Sequence, residues 1–125
     1  MFIFYNPNPE GLFTNDCTVR AICKALDQTW EKTYMDICLE GRLLYMMPST
    51  NAVWNSYLTK NGFRRYIIPY TCPACYTIKQ FCNDHKTGTY ILATDDHVVT
   101  VIDGDYYDTG DSGDEVPIYY WKETA

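Results

Sequence analysis

The fold is decided by residues 97–108, which read HVVTVIDGDYYD. A β-branched run and an aromatic run flank Asp103-Gly104, and an Asp-Gly pair between such runs favours a two-residue type I′ turn. Both residues tolerate the positive φ angles that this turn requires. The segment therefore predicts an antiparallel hairpin with one register, in which Val99 faces Asp108.

The same hairpin brings two ionisable side chains together. Because side chains alternate along a strand, His97 lies on the face of Val99, and Asp108 shares that face. Asp108 is then diagonally across from His97, at about 7–8 Å between α-carbons, a gap that the two side chains can bridge by a hydrogen bond. A carboxylate that holds one imidazole nitrogen leaves the other free to accept a proton. Asp95 and Asp96 are alternative partners for His97.

A base oriented in this way needs a nucleophile, and Cys17 is the best placed of the six cysteines. Helix signals begin near Asp16, and the apolar stripe of this helix excludes Cys17. The N-terminus of a helix stabilises a thiolate over a thiol. Taken singly, each residue keeps a plainer interpretation: a packed cysteine, a satisfied histidine at a sheet edge and an ordinary acid at a strand end.

The remaining patterns predict an α+β chain in which N-terminal helices pack on a C-terminal antiparallel sheet. No linker, repeat or low-complexity tract interrupts the 125 residues, so residues 1–125 are expected to form a single domain. Further helices are predicted over residues 30–39, ending at Gly41, and over 51–60 and 76–85. Strands are predicted over 63–68, 89–94, 97–102, 105–108 and 116–121.

Composition limits the partners and the compartment. The net charge of −6 argues against a nucleic-acid surface, and no basic patch or long apolar run favours a membrane. The first residues lack the pattern of a secretory signal, so a cytoplasmic protein is expected. In that compartment the cysteines are expected to be thiols, metal ligands or a nucleophile rather than a disulfide framework.

Two motifs resemble one family. Residues 15–22, NDCTVRAI, resemble the nucleophile helix of papain-like cysteine peptidases, especially their compact bacterial and phage-encoded C39-like and NlpC/P60-like branches. Residues 97–104 resemble the histidine strand of those enzymes, and Asp108 stands where their Asp or Asn stands. The resemblance implies a papain-like fold and a cysteine hydrolase that cleaves a peptide, isopeptide or related amide bond through a thioester. Cys17 would be the nucleophile, His97 the base and Asp108 the orienting acid.

One position departs from that family. Many of its members carry a glutamine six residues before the cysteine as an oxyanion donor, and this chain has Gly11 there. Asn15, Asn8 and Asn6 are the candidate side-chain donors, since an oxyanion needs donors rather than one residue type. A catalytically inactive binding module that acts on a host partner is therefore the alternative function.

A separate cluster offers metal-ligand types. Cys72 and Cys75 form a Cys-x2-Cys pair, and Cys82 with His85 completes four ligands of the kind that bind structural zinc. The spacing between the two pairs is shorter than in usual zinc modules. We therefore expect no cofactor for catalysis and keep a zinc-stabilised adaptor as a third hypothesis. The expected partner is a peptide or protein substrate, and the sequence does not predict the oligomeric state.

Overall fold

The computed structural model describes residues 1–124. Within this range the chain is α+β as predicted, with four helices and six strands. The elements in chain order are β1 (Phe2–Phe4), α1 (Cys17–Leu26), α2 (Trp30–Leu44), α3 (Asn51–Lys60), β2 (Phe63–Ile67), α4 (Ile78–Asp84), β3 (Thr89–Ala93), β4 (Val98–Ile102), β5 (Asp105–Asp108) and β6 (Tyr119–Glu123).

One six-stranded sheet runs through the molecule in the order β1-β5-β4-β3-β6-β2. Strands β3, β4 and β5 form an antiparallel meander. Strand β6 does not continue it next to β5 but pairs with β3 on the other side, and β2 pairs with β6, both in antiparallel orientation. The expectation of a purely antiparallel, C-terminal sheet was wrong, because β1 pairs with β5 in parallel. The Phe2 ring packs 5.7 Å from the Tyr106 ring, and the short strand covers an edge that β5 would otherwise expose.

The hairpin between β4 and β5 has the predicted register. Thr100 pairs with Tyr107, and Val101 pairs with Tyr106. Asp103 and Gly104 adopt φ angles of 51° and 84°, both in the left-handed region that a type I′ turn needs. The turn chemistry and the observed pairing therefore agree.

Two clusters of buried side chains lie on the two faces of the sheet. Helices α1, α2 and α3 contribute Ile22, Ile37 and Leu58 to the first cluster, together with Ile91 and Trp121 of the sheet. Helix α4 covers the other face, where its buried side chains pack on alternate residues of β3, β4 and β5. This second cluster contains Ile78, Phe81, Cys82, Leu92, Val99, Val101 and Tyr106. No helix in residues 1–124 combines the length and apolar character that crossing a bilayer requires.

Helix α2 continues beyond its predicted end at Gly41. The helix ends at Leu44, and Tyr45 terminates it in the left-handed conformation with φ 56°. Gly41 lies inside the helix, and the chain after the helix folds back over it. A Cβ at this position would stand 2.8 Å from the Met46 carbonyl oxygen. This glycine therefore serves a close approach and not a helix stop.

Two further boundaries differ from the predictions. Strand β6 begins at Tyr119 rather than at residue 116, since Pro117 lacks the N–H that a central strand must donate. Helix α4 begins at Ile78, later than predicted, because Thr77 caps it and Gln80 completes a capping box. Both differences are local and leave the order of elements unchanged.

Candidate active site

Cys17 is the first residue of α1, at the end of the helix that faces the sheet terminus carrying His97. The preceding residue, Asp16, occupies the N-cap position, but its side chain makes no capping bond. Its carboxylate instead accepts hydrogen bonds from Arg20 and from the Trp30 indole N–H. The backbone N–H groups of residues 17–19 consequently have no hydrogen-bond acceptor in the described part of the chain, and the positive end of the helix dipole is left open beside the thiol.

His97 lies at the start of β4, directly after the tight turn that connects it to β3. The turn is closed by the Thr94 N–H, which donates to the His97 carbonyl oxygen at 2.8 Å. The imidazole Nε2–H donates to Asp108 Oδ2 at 2.6 Å. The other ring nitrogen, Nδ1, is therefore the one available to Cys17.

Asp108 ends β5 and is 2 % exposed. Besides His97, its carboxylate accepts hydrogen bonds from Arg20 at 3.0 Å, from the Ser112 hydroxyl at 2.7 Å and from the Thr109 backbone N–H at 2.7 Å. Four donors fill both carboxylate oxygens. They fix the orientation of the carboxylate and therefore that of the imidazole ring.

The thiol and the imidazole shift one another toward an ion pair. Burial raises the pKa of the Cys17 thiol, but hydrogen bonds from the His97 ring and from the Val98 backbone N–H outweigh burial and lower it. The hydrogen bond to Asp108 raises the pKa of His97 to about 10, and the bond to Cys17 adds to this effect. Both shifts favour a thiolate beside an imidazolium at neutral pH.

The Asp108 carboxyl is held in its charged form. Burial raises its pKa, whereas the hydrogen bonds from His97 and Ser112 lower it, and the pKa lies below its ordinary value. A charged carboxylate stabilises the imidazolium that would form during acyl transfer. This is the role that the sequence assigned to the residue.

Arg20 connects the two ends of the site. Its guanidinium donates one hydrogen bond to Asp16 at 2.8 Å and another to Asp108 at 3.0 Å, and the side chain is 4 % exposed. The Asp16–Arg20 spacing of four residues on a helix favours the first contact, and a sheet carboxylate was the alternative partner expected for Arg20. The second joins residues that lie 88 positions apart, and no sequence signal marks it.

A small cavity of about 190 Å³ opens at the reacting groups, with Cys17 and His97 in its wall together with Asn51 and Trp54. The predicted oxyanion donors do not share it. Asn6 and Asn8 use their side chains to hold the loop over residues 6–12. Asn15 lines the neighbouring cavity on the other side of Cys17.

Asn51 is the amide that the sequence reasoning missed. Its Oδ1 accepts a hydrogen bond from the Trp54 indole N–H at 3.0 Å, and this donor-only partner fixes which end of the amide is oxygen. The amide Nδ2 has no acceptor within residues 1–124. Trp54 is buried and packs 4.6 Å from Trp121, so the anchor of the amide is held in place. An Asn at the start of a helix is usually a capping residue, so nothing in the sequence indicated a role for Asn51 in the site.

The proposed zinc ligands do not converge. Cys72 and Cys75 are joined in a disulfide, contrary to the expected free thiols. Cys82 is buried in the core, and the His85 ring stacks on Phe81 with its Nδ1 at 2.9 Å from a backbone carbonyl oxygen. Among the described residues, no group of three or more His, Cys, Asp or Glu side chains is placed to hold a metal ion.

Comparison of the chain with known protein families, with curated proteins and with solved structures finds no match. What the protein does has therefore to be argued from the geometry of the site.

Proposed function

We propose that the protein is a cysteine hydrolase that cleaves a peptide, isopeptide or related amide bond. One observation carries the proposal: a helix-start cysteine with a lowered thiol pKa contacts an imidazole whose far nitrogen is held by a buried carboxylate at 2.6 Å. A nucleophile, a base and an orienting acid in this order of contact form the minimum constellation for acyl transfer.

In the first half of the reaction the Cys17 thiolate attacks the carbonyl carbon, and the new C–S bond creates a tetrahedral oxyanion. When this intermediate collapses, the C–N bond breaks and His97 donates its proton to the leaving amine. The products of this half are a thioester on Cys17, a free amine and a neutral imidazole. Asp108 keeps the ring oriented throughout and stabilises its charged form.

In the second half the neutral His97 takes a proton from a water molecule, and the resulting hydroxide attacks the thioester carbonyl. The C–S bond then breaks, which releases a carboxylic acid product and restores the thiolate beside the imidazolium. Water is the only co-reactant consumed. The charges of the resting site are regained at the end of each turnover.

The oxyanion would be stabilised by two donors that the rest of the protein leaves free. The Cys17 backbone N–H at the start of α1 is one, and the Asn51 amide is the other, since both border the cavity that holds the thiol. Loss of one such donor costs about 100–1,000-fold in rate. Replacing Asn51 with Ala should therefore lower turnover by this factor while the reactivity of the thiol stays unchanged.

We also propose that the arrangement is papain-like. The chain order of Cys, His and Asp supports this proposal, as does a nucleophile at the start of a helix that packs on the strand following the histidine. The parallel N-terminal strand β1 would then be an addition to that arrangement in this chain.

The first test is the pH dependence of Cys17 alkylation by iodoacetamide in the wild-type protein and in His97→Ala. Trypsin releases residues 1–20 as a peptide with one cysteine, so mass spectrometry reads Cys17 by itself. We expect fast labelling at pH 6, well below the ordinary pKa of a thiol, and a labelling rate lower by about ten-fold or more in the variant.

Cys38 provides the internal control. It is another free cysteine, and trypsin releases it in a separate peptide, residues 33–42. Its labelling rate should be the same in both proteins if the variant is folded. Labelling of Cys17 that follows an ordinary thiol and does not depend on His97 would contradict the hydrolase proposal. It would favour the alternative of a binding module that keeps the scaffold without turnover.

A further inference from the structure

An apolar cavity lies beside the first turn of α1, where Asp16 and Thr18, the two neighbours of Cys17 in the chain, form part of its wall. It has a volume of about 470 Å³, within the range of pockets that bind small organic groups. Its walls come from α1, α2 and the loop before α3, and the apolar part is formed by Val19, Trp30, Tyr34, Ile37, Cys38 and Pro48. The mechanism described above uses none of these six side chains.

This cavity shares one wall residue with the candidate active site. Thr18, which follows the nucleophile, lines both the apolar cavity and the smaller cavity that contains Cys17 and His97. A chain that presents its carbonyl carbon to the thiol would therefore pass the mouth of the apolar cavity within a residue or two. An occupant of the cavity and a bond in the site can belong to the same molecule.

The wall of the cavity is joined to the catalytic groups by a series of hydrogen bonds. The Trp30 ring stacks on Tyr34 with a centroid distance of 5.0 Å and an interplanar angle of 8°. Its indole N–H donates to Asp16 at 3.0 Å, and Asp16 accepts from Arg20, which in turn donates to Asp108. A ring held at both its face and its edge is preformed to receive another apolar group.

We propose that this cavity is a specificity site that binds an apolar side chain, aromatic or long aliphatic, of the peptide or protein substrate. The inference rests on the proposed hydrolase function and adds the class of substrate to it. Apolar walls contribute little binding free energy to a charged or small side chain. A buried phenyl ring gains enough hydrophobic free energy to increase the reaction rate by about ten-fold or more. Substrates with such a side chain near the scissile bond should be preferred.

The test compares reagents with and without a phenyl-bearing substituent in two chemical series, which place the ring at different distances from the reacting carbon. N-(2-phenylethyl)iodoacetamide is compared with iodoacetamide, and the chloromethyl ketone of acetyl-Phe-Gly is compared with that of acetyl-Gly-Gly. Labelling of Cys17 is read on the tryptic peptide of residues 1–20. We expect saturable labelling with at least a ten-fold acceleration in one of the two series.

Two variants assign the acceleration to the cavity. Cys38→Phe fills it from α2, and Leu39→Phe is the matched control, because Leu39 is the next residue of the same helix and is 58 % exposed. Ser49→Glu places a carboxylate at the rim from a loop, which covers the case in which Cys38→Phe does not fold. The acceleration should disappear in Cys38→Phe or Ser49→Glu and persist in Leu39→Phe, whose plain iodoacetamide rate should match that of the wild-type protein.

The two proposals fail in different ways. Fast, His97-dependent labelling by iodoacetamide without any gain from the phenyl group would overturn the specificity site and leave the hydrolase standing. An acceleration that survives both cavity variants would also overturn the site. Ordinary thiol reactivity toward iodoacetamide would overturn the hydrolase and, with it, the assignment of the cavity to a substrate.

Discussion

Asp108 accepts hydrogen bonds from residues in separate parts of the chain: Arg20 in the first helix, His97 at the start of a strand and Ser112 in the loop that follows. A buried carboxylate is costly unless its oxygens are satisfied by such donors. The orientation of the imidazole therefore depends on side chains that never touch the thiol. At the scale of single residues, the site is a chain of contacts from Trp30 to Cys17.

Arg20 is the residue at which this dependence can be measured. Replacing it with Met leaves two buried carboxylates without their shared partner, and removal of one member of a buried ion pair costs about 3–5 kcal/mol. We expect a decrease of that size in the free energy of unfolding from urea titration. Arg20→Lys should retain only part of the stability, because one ammonium group does not reproduce two separate N–H donors of a guanidinium.

Lys32→Met is the matched control for this prediction. Lys32 forms an ion pair with Asp36 at the same spacing of four residues, but the lysine side chain is 59 % exposed. Pairs of this kind contribute about 0.5 kcal/mol or less. If Arg20→Met costs no more than Lys32→Met, the buried network does not hold the site together.

At the scale of elements, the hairpin and the first helix differ in how they reach the site. Asp103 and Gly104 set the hairpin register by backbone conformation alone, so His97 and Asp108 meet within one supersecondary unit. Helix α1 is positioned by tertiary packing, since its buried face contacts β4 and the Thr100 hydroxyl donates to the Ala21 carbonyl oxygen. The hairpin was predictable from its sequence, whereas the approach of the helix was not.

The glycine inside α2 gives the prediction at this scale. Alanine is ordinarily favoured over glycine in a helix by about 1 kcal/mol. At Gly41 the sign should reverse, because a Cβ would meet the Met46 carbonyl oxygen at 2.8 Å, and overpacking costs about 1–3 kcal/mol. Gly41→Ala should therefore lower the midpoint of urea unfolding.

The control for this substitution is Gly110→Ala. No atom lies within 4 Å of a Cβ built at Gly110, and its φ is outside the left-handed region. This variant should unfold at the wild-type midpoint or slightly above it. Equal midpoints for the two variants would mean that the chain after α2 does not pack against Gly41.

At the scale of the whole molecule, the ion pair of the site couples folding to pH. His97 has an ordinary pKa of 6.5 and a folded pKa of about 10, so its contribution is complete below 6.5 and is lost as pH rises through about 10. Cys17 has an ordinary pKa of 9.0 and a lowered folded pKa, so its contribution is present above 9.0 and is lost as pH falls through the lowered value.

The stability that the pair provides should therefore decrease as pH rises from 9.0 through about 10, and it should also decrease as pH falls through the lowered pKa of Cys17. Urea unfolding of the wild-type protein and of the double variant Cys17→Ala/His97→Ala across pH 5 to 10.5 isolates this difference. A difference in the free energy of unfolding that increases steadily toward either end of this pH range would contradict the ion pair.

The sequence by itself determined what short-range backbone geometry controls. The turn at Asp103-Gly104 and the alternation along β4 follow from neighbouring residues, and together they predict the His97–Asp108 contact. The helix start before Cys17 also follows from its neighbours. These inferences need no knowledge of how the elements pack, because a strand period and a turn type act over a few residues.

The tertiary structure alone decided the contacts between distant segments. Whether α1 presents its first turn to the hairpin, whether Arg20 bridges Asp16 and Asp108, and which asparagine borders the thiol all depend on how the elements pack. The parallel strand β1 and the length of α2 belong to the same class, since each is stabilised by chain that lies far away or folds back. The physical reason is that burial and shape complementarity are shared among many residues, so no short stretch of sequence records them.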